Sequence, residues 1–181
     1  MTNKPEIETT ASTVVYSNRW MSVREDRILR ANGQAGIYGV VEKRDFATIA
    51  AVQDGQIWLV EQYRYPVGRR FWELPQGSWE DQDVDPLALA RAELREETGL
   101  AAAEMVHAGR FFQAYGYSTQ AFNLFLATGL TQGETELDAE EQGLIARPFD
   151  IAEVEAMIVG GTIMDVTTVA AFGVLRLKGL L

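Results

Sequence analysis

Cysteine is absent from the 181-residue chain, and His107 is its only imidazole. Disulfides and thiolate zinc sites are therefore excluded, and any metal must be held by oxygen, which favours Mg²⁺, Mn²⁺ or Ca²⁺. Positive charge is scarce as well: 16 Lys and Arg face 26 Asp and Glu, a formal net charge of −10. A field of that sign repels nucleic-acid backbones and anionic membranes and argues against a nucleic-acid partner. Long apolar runs are missing too. Nothing approaches the ~18 uninterrupted apolar residues of a membrane helix, and MTNKPEIETTASTVV lacks a basic region followed by an apolar one. The expectation is a cytoplasmic protein with no membrane partner, a compartment that the missing cysteines fit. With 47% apolar and 23% charged residues, the composition is that of a folded domain with one core.

What is present reads mainly as short strands. Residues 12–16, 20–29 and 36–43 form an N-terminal β-rich third, broken by turn dipeptides. Residues 46–53 and 56–63 are apolar runs joined by Asp54-Gly55, the strongest hairpin signal in the chain. Residues 70–74 give a further strand that ends at Pro75. A helix is predicted over residues 86–98, with Asp85 as N-cap, Pro86 at the first helical position and Gly99 as a left-handed stop. Strands at 106–112 and 121–128 flank a turn-rich segment, and an acidic loop follows over residues 133–142. After residues 144–149 come two helices, one capped by Asp150 and ending at Gly160-Gly161, one capped by Asp165 and running through Val174. Mixed elements of this kind indicate an α+β or mixed α/β sandwich.

Residues 77–100 read GSWEDQDVDPLALARAELREETGL and crowd Glu93, Glu96 and Glu97 before Gly99. On a helical wheel with Glu93 at zero, Glu97 falls at roughly 40° and Glu96 at roughly −60°, so all three share a face. Leu87, Ala90 and Leu94 lie beside them at roughly 60° to 120°, which puts the acids at the border of the buried stripe. Glu93 meets like charges at i+3 and i+4, each costing roughly 0.2–0.5 kcal/mol. The negative end of the helix dipole adds a further penalty of roughly 0.3–1 kcal/mol. Arg91 and Arg95 point away and relieve little of this. A solvated charged face is the ordinary reading of a Glu-rich helix, but here divalent cations account for the pattern better.

The same stretch resembles the Nudix box: Gly, five residues, Glu, seven residues, then Arg-Glu-apolar-x-Glu-Glu-x-Gly-apolar. The match over residues 93–100 is full. Two departures stand out: Ala92 occupies the box arginine position, and the spacing from Gly77 is one residue longer, which puts the mid-box acid on Val84 or Asp83. An Asp83–Arg91 or Asp83–Arg95 pair is the candidate replacement brace. Val60-Glu61-Gln62-Tyr63-Arg64-Tyr65-Pro66 and Trp72-Glu73-Leu74-Pro75-Gln76-Gly77 look like the strands before the box in the branch that hydrolyses ADP-ribose and other nucleoside diphosphate sugars. Residues 161–168 look like the start of that branch's final helix.

The resemblance implies a Nudix-type α/β/α sandwich with a mixed β-sheet and an N-terminal β-strand extension. The extension covers residues 1–43 and the hydrolase domain residues 44–181. It implies that Glu93 and Glu97 ligate Mg²⁺, or Mn²⁺ in its place, with Glu96 assisting and the Gln76 carbonyl completing the site. Arg64 would contact the diphosphate or an adjacent sugar, and Glu73 would border the same pocket. Glu141, or its neighbour Glu140, would act on the attacking water. The implied reaction releases a nucleoside monophosphate and a sugar phosphate, and the implied assembly is a homodimer that exchanges its N-terminal strands. The branch's Ser-Pro-Gly turn is missing, and Tyr115 nearby is a feature of dinucleoside polyphosphate hydrolases. A dinucleoside polyphosphate or RNA 5′-end pyrophosphohydrolase is therefore the alternative, and a non-catalytic nucleotide sensor, suggested by Ala92, is the second. Trp20, Tyr38 and Trp72 are candidates for base stacking, against the usual fate of strand aromatics as core.

Overall fold

A computed structural model describes residues 5–79, 85–134 and 143–181, which fall into two compact units. The first comprises Met1–Asp45 with Phe112–Ala121, the second Phe46–Phe111 with Phe122–Leu181.

In the first unit, strands β1 (Ile7–Ser17), β2 (Ser22–Arg30) and β3 (Ala35–Glu42) form an antiparallel sheet in that order. The first turn is an Asx turn: Asn18 Oδ1 accepts from the backbone N–H groups of Trp20 and Met21, both at 2.9 Å. Every residue of β1 is exposed. The segment 112–121 belongs to this unit. Val41 N–H donates to the Tyr117 carbonyl at 2.8 Å, and the Tyr38 hydroxyl donates to the Gly116 carbonyl at 3.0 Å.

The second unit is built on strands β4 (Phe46–Gln53), β5 (Gln56–Arg64), β6 (Arg69–Glu73), β7 (Gln76–Gly77), β8 (Leu100–Phe112), β9 (Ala121–Gln132) and β10 (Ile145–Asp150). Its sheet runs β10-β5-β4-β9-β8, with β6 added to β5 and β7 to β4. The β4–β5 hairpin turns at Asp54 and Gly55, with φ of 53° and 78°. Positive φ at both central positions suits a primed hairpin turn, which matches the twist of the flanking strands. Strand β4 pairs in parallel with β9, which makes the sheet mixed.

Because side chains alternate across a strand, β4 serves two cores. Phe46 and Ala50 point into a cluster with Val154, Ala171, Phe172 and Leu175, residues of α2 (Ile151–Val159) and α3 (Val166–Leu177). Ala47, Ile49 and Ala51 point into a second cluster with Leu89, Ala90 and Leu94 of α1 (Pro86–Thr98). Helices therefore cover both faces, giving the α/β/α sandwich expected from the sequence. Among the described residues no helix is long and apolar enough to cross a membrane.

Helix α1 has the bounds its caps predict. Asp85 accepts from Ala88 N–H at 3.1 Å, and Gly99, at φ 72°, donates to the Arg95 carbonyl at 2.8 Å. The last helix runs three residues past Val174, to Leu177. Asp150 precedes α2 without a side-chain cap bond, and its Oδ1 accepts instead from Gln56 Nε2 at 3.1 Å.

Candidate functional site

The candidate site lies where β7 meets α1. Leu74 is fully buried, and the Pro75 carbonyl accepts from Ile49 N–H at 2.9 Å, which pins this strap to β4. Gln76 and Gly77 then pair antiparallel with Thr48 and Ala47.

Glu93 and Glu97 sit one turn apart on α1 and are turned inward, with 5% and 1% of their surface exposed. The backbone N–H of Gln76 donates to Glu97 Oε2 at 3.0 Å. A Cβ placed on Gly77 would stand 2.2 Å from Glu93 Oε2 and 2.5 Å from its carboxyl carbon. The missing side chain at residue 77 is thus what lets the Glu93 carboxylate lie against the backbone. Glu96 is only partly buried and lies 3.5 Å from Arg95 Nη2, a neighbour pair that the i±3 and i±4 spacing did not consider.

Ala92, at the place of the box arginine, is buried. Arg91 does not substitute for it, because its Nη1 donates to the Ala102 carbonyl on β8 at 3.0 Å. Asp83 and Val84 lie outside the described residues, and so do Glu140 and Glu141.

On the paired strands β5 and β6, Glu73 lies opposite Val60 and Arg64 opposite Arg69, so the long Arg64 side chain reaches along the sheet to meet Glu73. Arg64 Nε donates to Glu73 Oε2 at 3.2 Å and Nη2 donates to Oε1, while Gln62 Nε2 donates to Oε1 at 2.9 Å. Burial pushes the Glu73 carboxyl above the ordinary carboxylate range; Arg64 pulls it down, and the Asp165 charge pushes it up. The Arg64 side chain keeps 40% of its surface exposed, so a charge fixed at one end by Glu73 still faces outward.

The sequence reading missed a polar cluster beside the strap. Gln76 Nε2 donates to Asp165 Oδ2 at 3.3 Å, and Thr48 Oγ1 donates to Gln76 Oε1 at 3.4 Å. Leu74 N–H donates to Thr168 Oγ1 at 2.9 Å, and that hydroxyl donates to Asp165 Oδ2 at 2.8 Å. Asp165 carried a signal as an N-cap and as part of the 161–168 resemblance, and it does cap α3, accepting from Thr167 and Thr168 N–H at 3.4 and 2.8 Å.

Tyr115 belongs to the first unit and is 84% exposed. Trp20, also there, is exposed beneath the Arg19 guanidinium at 4.2 Å. Trp72 packs edge-on against Phe149, with ring centroids 4.8 Å apart, on the edge of the larger core cluster.

Among the described residues, no group of three or more Asp, Glu or His side chains is gathered ready to hold a metal ion. What is placed together is the Gln76 N–H on Glu97 and the Glu93 carboxylate against Gly77, two buried acids beside the strap. Carboxylate oxygens are the ligands a hard divalent cation takes, and Gly77 leaves the Glu93 carboxylate a cradle that any Cβ would fill.

The chain resembles known proteins along most of its length. Residues 43–161 match the NUDIX domain, and residues 7–41 match the nucleoside diphosphate sugar hydrolase N-terminal domain. An ADP-ribose pyrophosphatase of Mycobacterium tuberculosis is 34% identical over 177 residues, covering 97% of this chain and 84% of that protein. A methanol dehydrogenase activator of Bacillus methanolicus is 30% identical over 141 residues, 77% of this chain and 76% of that one. The crystal structure of an ADP compounds hydrolase superposes over 100% of both chains with a TM-score of 0.85 at 17% identity, a likeness of fold. With its sandwich, its paired carboxylates at the strap and a matching domain over two thirds of its length, the chain belongs to the Nudix hydrolase family.

Proposed function

We propose that this enzyme hydrolyses the diphosphate linkage of ADP-ribose or a related nucleoside diphosphate sugar, releasing nucleoside monophosphate and sugar phosphate. The observation that carries the reading is the pair of buried carboxylates, Glu93 and Glu97, set against the Gln76-Gly77 strap. The 34% identical ADP-ribose pyrophosphatase and the match of residues 7–41 to the sugar hydrolase N-terminal domain support the substrate class.

Glu93 and Glu97, assisted by Glu96 and the Gln76 carbonyl, would hold Mg²⁺, with Mn²⁺ as a substitute. When bound, the metal supplies charge neutralisation on the diphosphate and a lowered pKa for a ligated water. Arg64, held from behind by Glu73, places a planar cation on the phosphate oxygens. Glu141 or Glu140 takes the proton of the attacking water. The water oxygen bonds to one phosphorus as the bridging P–O bond breaks, and the departing phosphate keeps that electron pair.

Residues 1–43 act in this reading as an extension to the catalytic domain of residues 44–181. The N-terminal sheet leaves Ile7, Val14, Val15, Tyr16 and Ile37 exposed, apolar side chains that a second copy would cover in a homodimer. Sedimentation at micromolar concentration tests the dimer; a monomer would contradict it.

The function is tested by an Mg²⁺-dependent screen over ADP-ribose, sugar nucleotides and dinucleoside polyphosphates, with products separated by mass. ADP-ribose should yield AMP and ribose phosphate. No turnover of any diphosphate sugar would sink the reading.

A further inference from the structure

We propose that Asp165 and Thr168, at the start of α3, are positioning residues for the metal-binding strap. They would hold residues 74–76 in the conformation that brings Gln76 to Glu97. The inference rests on the reading of Glu93, Glu97 and the Gln76 carbonyl as a metal site.

An N-cap needs only to accept from the first free N–H groups of its helix. Asp165 does more. Its Oδ2 accepts from Thr168 N–H at 2.8 Å, from the Thr168 hydroxyl at 2.8 Å and from Gln76 Nε2 at 3.3 Å, while Oδ1 accepts from Thr167 N–H. Thr168 is fully buried, and its one hydroxyl proton goes to Asp165, which leaves the oxygen lone pairs for Leu74 N–H at 2.9 Å. One carboxylate oxygen thereby fixes the strap twice: through Thr168 at the Leu74 main chain, and directly at the Gln76 side chain. Thr48 Oγ1 holds the other end of the Gln76 amide.

Between these two anchors runs the peptide whose N–H meets Glu97 Oε2. A buried main-chain donor such as Leu74 N–H must find an acceptor, so removal of the Thr168 hydroxyl forces the strap to shift toward a new one. Groups behind a metal ligand tune affinity in this way without touching the ion. The device is not visible along the sequence, because residues 48, 74, 76, 165 and 168 come from β4, the strap and α3.

The test uses Mn²⁺ alone as probe, with its dissociation constant measured by electron paramagnetic resonance on the substrate-free full chain. Thr168→Val removes the hydroxyl at similar volume, and Thr168→Ser keeps it. Thr168→Val should weaken Mn²⁺ binding roughly tenfold, while Thr168→Ser stays within roughly twofold of the parent. Parental Mn²⁺ affinity in Thr168→Val, with only a lowered melting temperature, would reduce Thr168 to a structural cap and overturn the proposal. If Thr168→Val does not fold, Gln76→Ala serves, since it keeps the backbone carbonyl and loses only the clamped amide. Weakened Mn²⁺ binding then supports the proposal and parental binding overturns it. A parent that binds no Mn²⁺ sinks the metal-site reading itself, whereas parental affinity in the variants sinks this inference alone.

Discussion

The Gln76 backbone N–H and Glu97 Oε2 are joined at 3.0 Å, a bond that ties β7 to the last turn of α1. It neutralises part of a carboxylate that is almost wholly buried and sits at the helix end where the dipole disfavours negative charge. The bond also sets the distance between the main chain of the strap and the acidic face.

Gly77→Ala separates folding from metal binding. The new methyl group would meet the Glu93 carboxylate, the mobile end of a flexible side chain, so the carboxylate moves and the backbone does not. The melting temperature should change little while Mn²⁺ affinity and turnover fall at least about tenfold. Gly99→Ala should behave in the opposite way. There φ is 72° and the added Cβ would stand 2.8 Å from the Gly133 carbonyl, so the loss appears as stability, roughly 1–2 kcal/mol for the left-handed backbone alone. Urea unfolding alongside Mn²⁺ titration distinguishes the two.

Arg64→Lys keeps the charge and loses the planar fork. Glu73 is then paired through a single point charge, and the outward N–H groups no longer match two phosphate oxygens. KM for ADP-ribose should rise roughly tenfold, about 1.4 kcal/mol, with a smaller effect on kcat. An unchanged KM in steady-state kinetics would remove Arg64 from substrate binding.

Glu73 gives a pH dependence of definite sign. Its carboxyl is raised in the folded chain, chiefly by burial, so the folded state binds that proton more tightly than the unfolded one. The resulting stability is fully present below the unfolded carboxylate pKa of about 4.3 and is lost as pH rises through the folded value. In metal-free buffer, Glu73→Gln should flatten the fall in unfolding free energy across that window. Denaturant melts of both proteins at stepped pH test this, and parallel slopes would contradict it.

Several of these features were legible in the sequence because their causes are local. Asp85, Pro86 and Gly99 fix α1 to the residue, since caps act within one turn. Asp54 and Gly55 announce the β4–β5 turn by their tolerance of positive φ. The carboxylate face followed from helical periodicity, although burial separates Glu93 and Glu97 from the rim residue Glu96. What escaped depends on tertiary partners. β8 starts at Leu100, six residues before the apolar pattern suggests a strand, because its place beside β9 overrides the weak strand propensity of its alanines. β7 is two residues long, too short to carry a period. Ala92 resists any reading from spacing: it is buried, and among the described residues Gln76 N–H is a group seen on Glu97. The Asp165, Thr168, Gln76 and Thr48 cluster joins segments far apart in the chain, and the motifs around residues 72–77 and 161–168 do not say that these side chains meet.

Glu97→Gln tests the central claim most directly, since it keeps the size of the side chain and an acceptor for Gln76 N–H but removes the charge. ADP-ribose hydrolysis at saturating Mg²⁺ should fall at least about a hundredfold, in keeping with the several kcal/mol that such a metal site supplies. Mg²⁺ should no longer raise the melting temperature of the variant. A Gln variant as active as the parent, with its Mg²⁺-dependent stabilisation intact, would contradict the assignment of the site.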